Sequence, residues 1–417
     1  MTKAQKRSVL IILIAWLAYL ISYIGRSDYS SCLLEILNET GASRATGGMV
    51  SSVFAICNAC GQLASGFIMK KVSPLKVIGV ELFTVFLVNL LMPTTDSFVV
   101  MAILWGINGA MQATLLSGVT QIFANTLREP YLSRGAVLMN TIGAVGGMFN
   151  YVLAFALIRF FSWRTVFMTA AGMLLVLAVV WCTVMPRLVH SMQHNVKEDP
   201  VEPKGAPTAI SVPLSSILRS HGTIYVIVGT FFIGALRESV SLWIPTYMNE
   251  TFALGSDIAT VITAVVPCMQ TLGAFLGGNL GRKSKTLHFP ACAAFALSTI
   301  SLTTIRLMGD ASAPLTIALF VINAISMTAA LTFLLSLFPI RYVDRSSVAV
   351  LVGIINFAAH GGDFAASAGV GWLSQFGWQY AFFALCGAAA MGAVVCLLGG
   401  ISCLKEERKH GQERVYG

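Results

Sequence analysis

A chain of 417 residues with 56% hydrophobic and only 11% charged residues cannot build a soluble surface, for which about 25% charged residues is ordinary. The mean hydropathy of +0.78 leaves more apolar side chains than any interior could hide, so the class is a polytopic membrane protein, and disordered, collagen-like and disulfide-scaffold chains are excluded. The net charge of +9 raises nucleic-acid binding as a question that the positions of the charges must decide.

Crossing a bilayer takes ~20 apolar residues per helix, and cutting the chain at charges and at Pro/Gly/Ser clusters predicts twelve spans. The first, 8–34, places Tyr19, Ser22, Tyr23, Arg26, Tyr29 and Ser30 at helical spacing, a polar stripe on an apolar cylinder. It is taken as a retained helix and not a signal peptide, since no small-residue cleavage site follows it. The second, 46–69, carries Asn58, Gln62 and Ser65, and its Cys57 and Cys60 have redox spacing without flanking ligands, which reads as helix packing. The third, 74–93, holds Glu81, expected to point to headgroups or a neighbouring helix; the fourth, 97–123, holds Asn108 and Gln112. The fifth, 135–160, has Asn140, Gly143, Gly147 and Asn150, and the sixth is 164–185. These amides and hydroxyls divide evenly between lining a cavity and gluing helices together.

A polar stretch, 187–221, follows as a cytoplasmic linker. The seventh span, 222–248, contains Arg237 and Glu238; the eighth to tenth are 256–279, 287–308 and 314–339. The eleventh, 347–374, repeats the polar stripe with Asn356, His360, Asp363 and Ser367, and the twelfth, 378–403, leads to a cytoplasmic tail at 405–417. The organisation is therefore a six-helix half over 1–186, a linker, and a second six-helix half over 222–404.

With the N-terminus inside, 21 of the 27 Lys and Arg fall on the inner side, four on the outer side (Arg44, Arg159, Arg164, Arg306), and Arg26 and Arg237 stay in the membrane. This bias is the usual signature of cytoplasmic loops, so the basic charge reports orientation and nucleic-acid binding is disfavoured. Both termini are placed in the cytoplasm and the chain in the plasma membrane.

At an offset of 211, Arg26 aligns with Arg237 and Asn38-Glu39-Thr40 with Asn249-Glu250-Thr251; at 215, residues 146–167 align with 361–382 with six identities. Six helices separate the copies, so the repeats are parallel, an architecture of secondary transporters. An intramembrane Arg costs ~2.5–3.5 kcal/mol on insertion scales and is a functional-site hypothesis by default. Pseudo-twofold symmetry would bring Arg26 and Arg237 to the axis, where two guanidiniums repel unless an anion lies between them; their forks match carboxylate or phosphate oxygens. The competing reading is a local carboxylate partner. Asp28 and Glu238 are near in sequence, but neighbours this close do not face each other on a helix, so neither is expected to pair. His360 and Asp363, one turn apart, suit a proton relay, and Glu238 is a third candidate for proton coupling.

The segment Tyr23-Ile-Gly-Arg26-Ser-Asp-Tyr29, and more strongly Arg237 followed by Trp243-Ile-Pro245-Thr246-Tyr247, resemble the major facilitator superfamily and, within it, the organophosphate:phosphate antiporter family. Ser133-Arg134-Gly135 and the Gly-Gly pair of the fifth span extend the likeness across most of the chain. The resemblance implies that Arg26 and Arg237 grip a phosphoryl group. Where many members carry Lys on the second helix this chain has Gln62, and where glycerol-phosphate members carry His on the fifth it has Gly143; the acidic residue expected near Phe67-Ile-Met-Lys70-Lys71 is missing. These departures make the site less positive and leave room for a carboxylate.

The expectation is an all-α membrane protein with twelve transmembrane helices in two parallel six-helix repeats, a monomer without enzymatic chemistry, cofactor or metal. It moves a small organic anion by alternating access, as an organophosphate exchanged for phosphate. The rivals are proton-coupled symport of a carboxylated solute and a membrane sensor of a phosphorylated metabolite. Substrate contacts are assigned to Arg26, Arg237, Tyr19, Tyr23, Tyr29, Gln62, Asn140, His360 and Asp363, and proton coupling to Asp363, His360 and Glu238.

Overall fold

The computed structural model describes residues 2–139, 141–193, 222–308, 311–342 and 348–416, and no strand occurs among them. Asn140 and most of the expected linker lie outside the described residues. Twelve helices are long and apolar enough to cross a membrane: α1 Ala4–Thr40, α2 Arg44–Met69, α3 Pro74–Thr94, α4 Phe98–Thr126, α5 Val137–Phe160, α6 Trp163–Met192, α7 Thr223–Phe252, α8 Ser256–Lys283, α9 His288–Met308, α10 Ala313–Tyr342, α11 Val350–Ser374 and α12 Trp378–Glu406. The twelve expected spans all appear. The helical backbone of α1 and α6 continues past the apolar runs, to Thr40 in α1 and through Pro186 to Gln193 in α6; α1 stops at Gly41, a left-handed cap at φ 65°. Glycine fills that conformation without a Cβ penalty.

The helices group into two compact units. The described parts of Met1–Ala42, Met49–Lys204 and Gly255–Cys268 form unit 1, and those of Ser43–Gly48, Gly205–Leu254 and Met269–Gly417 form unit 2. The first turn of α2 thus belongs to unit 2 and the first half of α8 to unit 1.

Unit 1 is built around α1, which packs on α3, α5 and α6. Its core joins Ile11, Ala15 and Ala18 of α1 to Leu82 and Val85 of α3 and to Leu174 and Trp181 of α6. The small face of α1 lets its neighbours approach closely, as membrane helices require. In unit 2, α7 packs on α11 and α12, and α9 on α10 and α12. The α7–α11 crossing is backbone to backbone: a Cβ on Gly234 would strike the Ala359 carbonyl, and one on Gly362 the Phe231 carbonyl. Only glycine permits that approach, and it sets Arg237, His360 and Asp363 within about a turn of the crossing.

Candidate functional site

In unit 1, Arg26 projects from α1 with its guanidinium over two rings, 5.2 Å from the Tyr23 centroid and 5.3 Å from that of Phe54 on α2. Among the described residues no carboxylate lies within ion-pairing distance of it. Asp28, two residues on, is fully buried, and its carboxyl oxygens make no hydrogen bond among the described residues. Aromatic faces attract a cation but do not neutralise it, so among the described residues Arg26 is a caged positive charge without a carboxylate partner. Tyr23 is held in turn by the glycines of α5: a Cβ on Gly146 would come within 2.9 Å of its ring. Tyr19 and Tyr23 both pack on the unit 1 core.

The backbone under Arg26 is pinned by amides. Asn89 and Asn108 donate to the Gly25 carbonyl at 3.1 and 2.9 Å, and Gln112 donates to Asn108 at 2.7 Å. On α2, Gln62 donates to Asn58 at 2.8 Å, and Asn58 to the Gly109 carbonyl at 2.9 Å. Asn58, Asn89 and Asn108, all buried, therefore join α1, α2, α3 and α4 and fix the height of Arg26. Glu81 is likewise turned inward to neighbouring helices and not to headgroups; it accepts from Ser22 at 3.3 Å and from Thr114, at the break in α4, at 3.5 Å.

The expected stripe on α1 divides. Tyr23 and Arg26 stay together, but Ser22 and Tyr29 are wholly buried, and Tyr29 stacks on Trp105 at 5.6 Å. Tyr29 therefore lies in the core of unit 1 in this structure, because α1 is surrounded by helices on more than one side and a stripe one third of the circumference wide reaches into that packing. Phe54 was missed; its register with Asn58 and Gln62, four and eight residues on, was the available signal.

In unit 2, Arg237 and Glu238 form an ion pair, correcting the expectation that adjacent residues would not meet. Their Cβ atoms diverge by ~100° around the helix, but two long side chains can bend together across that angle. Both are partly exposed, at 27% and 36%. On α11, Ser367 donates to Asp363 at 2.8 Å, and His360 and Asp363 are partly buried. The two intramembrane arginines, equivalent in sequence, therefore differ in partner: among the described residues Arg26 has no carboxylate in reach and Arg237 has Glu238.

The Major Facilitator Superfamily model matches residues 15–367. Over 283 residues the chain is 26% identical to the membrane sensor protein UhpC of Escherichia coli strain K12, the match covering 64% of this chain and 62% of that protein, so it spans about three fifths of the sensor's length. It is 22% identical to the hexuronate transporter of Bacillus subtilis strain 168 over 411 residues, 94% of each. Among solved structures, a bacterial homologue of the human lysosomal transporter Spinster shares the fold with a TM-score of 0.76 at 15% identity, covering 98% of both chains. With 353 of its residues inside the family model and its twelve helices in place, the chain belongs to the Major Facilitator Superfamily and is a multi-pass membrane protein.

Proposed function

We propose that this protein is a secondary transporter of a small organic anion, working by alternating access in the plasma membrane with both termini in the cytoplasm. The observation that carries the reading is Arg26, a guanidinium inside the membrane with aromatic neighbours and no carboxylate partner among the described residues. A charge kept at that cost is retained for a ligand, and its fork accepts a carboxylate or one edge of a phosphoryl group. In unit 2, Arg237 is the equivalent candidate, an adjustable one, because an incoming anion would compete with Glu238 for it.

Two cargoes follow from the sequence, an organophosphate exchanged for phosphate and a carboxylated solute moved with protons. The Arg237–Glu238 pair favours the carboxylate. With Arg237 already countered by Glu238, that arginine has less positive charge to offer a ligand, which suits a monoanion better than a phosphate dianion. The similarity to a hexuronate transporter along 94% of the chain supports the same choice, and a sugar acid is the leading cargo. Asp363, His360 and Glu238 are then the groups through which protons would couple.

Purified protein in liposomes tests this. Uptake of a sugar acid that collapses with a protonophore supports symport; flux that needs internal phosphate and ignores the proton gradient restores the organophosphate exchanger. Ligand binding without flux in either format indicates a sensor, as the likeness to UhpC allows. Absence of both binding and flux over phosphorylated and carboxylated metabolites refutes the anion site itself.

A further inference from the structure

Both units build one indole–carboxylate pair and complete it differently. In unit 1, Trp163 donates from Nε1 to Glu39 at 2.5 Å, and Arg164 donates to the other Glu39 oxygen at 2.5 Å while lying 4.4 Å above the Trp163 ring. Arg164 also reaches Asp96 at 2.8 Å and the Pro93 carbonyl at 3.2 Å. At the repeat offsets the equivalents in unit 2 are Glu250 and Trp378, and Trp378 donates to Glu250 at 2.8 Å. The residue after Trp378 is Gln379, so the arginine of this repeat is lost.

Its place is taken by Arg44, the first residue of α2. Arg44 grips Glu250 with both edges of its fork, Nε to Oε1 at 3.1 Å and Nη2 to Oε2 at 2.5 Å, donates to the Ser374 carbonyl at 2.5 Å, and lies 5.1 Å over the Trp378 ring. Charge is not all that seats it. A Cβ on Gly48 would strike the Ser367 carbonyl, and one on Gly371 would fall 2.6 Å from the Arg44 carbonyl. Backbone meets backbone from both sides, so the turn from Arg44 to Gly48 is fitted to α11.

Connectivity gives this arrangement a consequence. Glu39, Trp163 and Arg164 all come from stretches that lie wholly in unit 1, whereas Arg44 sits on a helix that leaves unit 2 at Gly48 and continues unbroken into unit 1 from Met49. We propose that Arg44, Glu250 and Trp378 form a releasable latch of the transport cycle, closed in one conformation and open in another, while Glu39, Trp163 and Arg164 form a permanent staple. The proposal rests on the transport reading. A bidentate pair with a stacked ring is geometrically selective, yet its partners are 24% and 32% exposed, so solvent keeps it weak enough to break.

The test has two arms on the full-length protein. In the first, Ser43→Cys is labelled with a hydrophilic maleimide in detergent, after Cys60→Ser and Cys182→Ser remove exposed native thiols. Adding Glu250→Gln should raise the labelling rate several-fold, and the exchange Arg44→Glu with Glu250→Arg should return it toward the starting value; equal rates in all three overturn the latch. In the second arm, Arg44→Cys with Glu250→Cys is joined by a short reducible bis-thiol reagent, and Glu39→Cys with Arg164→Cys serves as the control. The first cross-link should stop flux of a transported anion while the ligand-induced thermal shift persists, with recovery on reduction; the second should leave flux near normal. Unimpaired flux across the first link, or equal loss across both, refutes the latch. Absence of flux in the uncross-linked protein counts against the transport reading, and the labelling arm then decides whether the turn is held.

Discussion

Replacing Arg26 by Leu should weaken ligand binding by much more than it changes the stability of the ligand-free protein. The insertion cost of an unpaired Arg near the middle of a membrane helix is ~2.5–3.5 kcal/mol. Its contacts with Tyr23 at 5.2 Å and Phe54 at 5.3 Å return about 0.5–2 kcal/mol each. The difference leaves the ligand-free Arg26→Leu protein between roughly 1.5 kcal/mol less and roughly 2.5 kcal/mol more stable, on those same scales. Binding runs the other way. A hydrogen bond to a charged group contributes ~1.5–3 kcal/mol, and losing a two-pronged contact should reduce affinity roughly 100- to 10,000-fold at about 1.4 kcal/mol per tenfold. Arg26→Lys keeps the charge and loses the fork, for a fall of about tenfold. Thermal denaturation of the purified proteins with and without a binding anion reads both quantities, since a ligand that binds the folded state raises apparent stability. A ligand-free Arg26→Leu protein that melts far below the parent, yet keeps its ligand-induced shift, would make Arg26 a structural residue and refute the anion site.

Glu238→Gln should release Arg237 and shift preference toward dianions; competition binding should show phosphate esters gaining at least severalfold on sugar acids, and an unchanged ratio separates Glu238 from selectivity. Asn108→Ala removes a buried amide bonded to the Gly25 carbonyl at 2.9 Å, so stability should fall by ~1–3 kcal/mol while the order of ligand preference stays fixed. Gly362→Leu drives a side chain into the Phe231 carbonyl of α7 and should abolish a monodisperse product on size exclusion, whereas Gly278→Leu on α8, where a Cβ meets nothing within 4 Å, should be recovered intact.

The architecture was legible because a bilayer simplifies the problem. Every backbone polar group must be satisfied within its own helix, so hydropathy and helix length give the spans, and the described boundaries differ chiefly where α1 and α6 run on past their apolar cores. The positions of Arg26 and Arg237 were equally open to reading, as charges where charges are costly. What periodicity could not decide was which way each amide turned. Asn58, Asn108 and Gln112 lie at spacing as suitable for lining a cavity as for bonding a neighbour, and the choice depends on carbonyls of other helices, Gly109 and Gly25. Tyr29 is buried and Glu81 takes the neighbouring-helix alternative for the same reason: a helix with neighbours on several sides buries polar positions that a helical wheel assigns to an open face.

The departures from repeat symmetry concentrate on charge. The scaffold positions agree between halves, with Glu39 matching Glu250 and Trp163 matching Trp378, while the cations do not: among the described residues Arg26 has no carboxylate partner and Arg237 has one, and Arg164 has Gln379 at its equivalent position. Two identical halves would present equal energies to a ligand and to each other. Separating the roles gives unit 1 the cation that needs a ligand and gives unit 2 carboxylates that can be lent to either arginine, Glu238 to Arg237 and Glu250 to Arg44. Each such loan is an interaction that one conformation makes and another need not. A transport cycle requires differential free energies of that kind, because a ligand shifts an equilibrium only by the difference in its affinity for the two states.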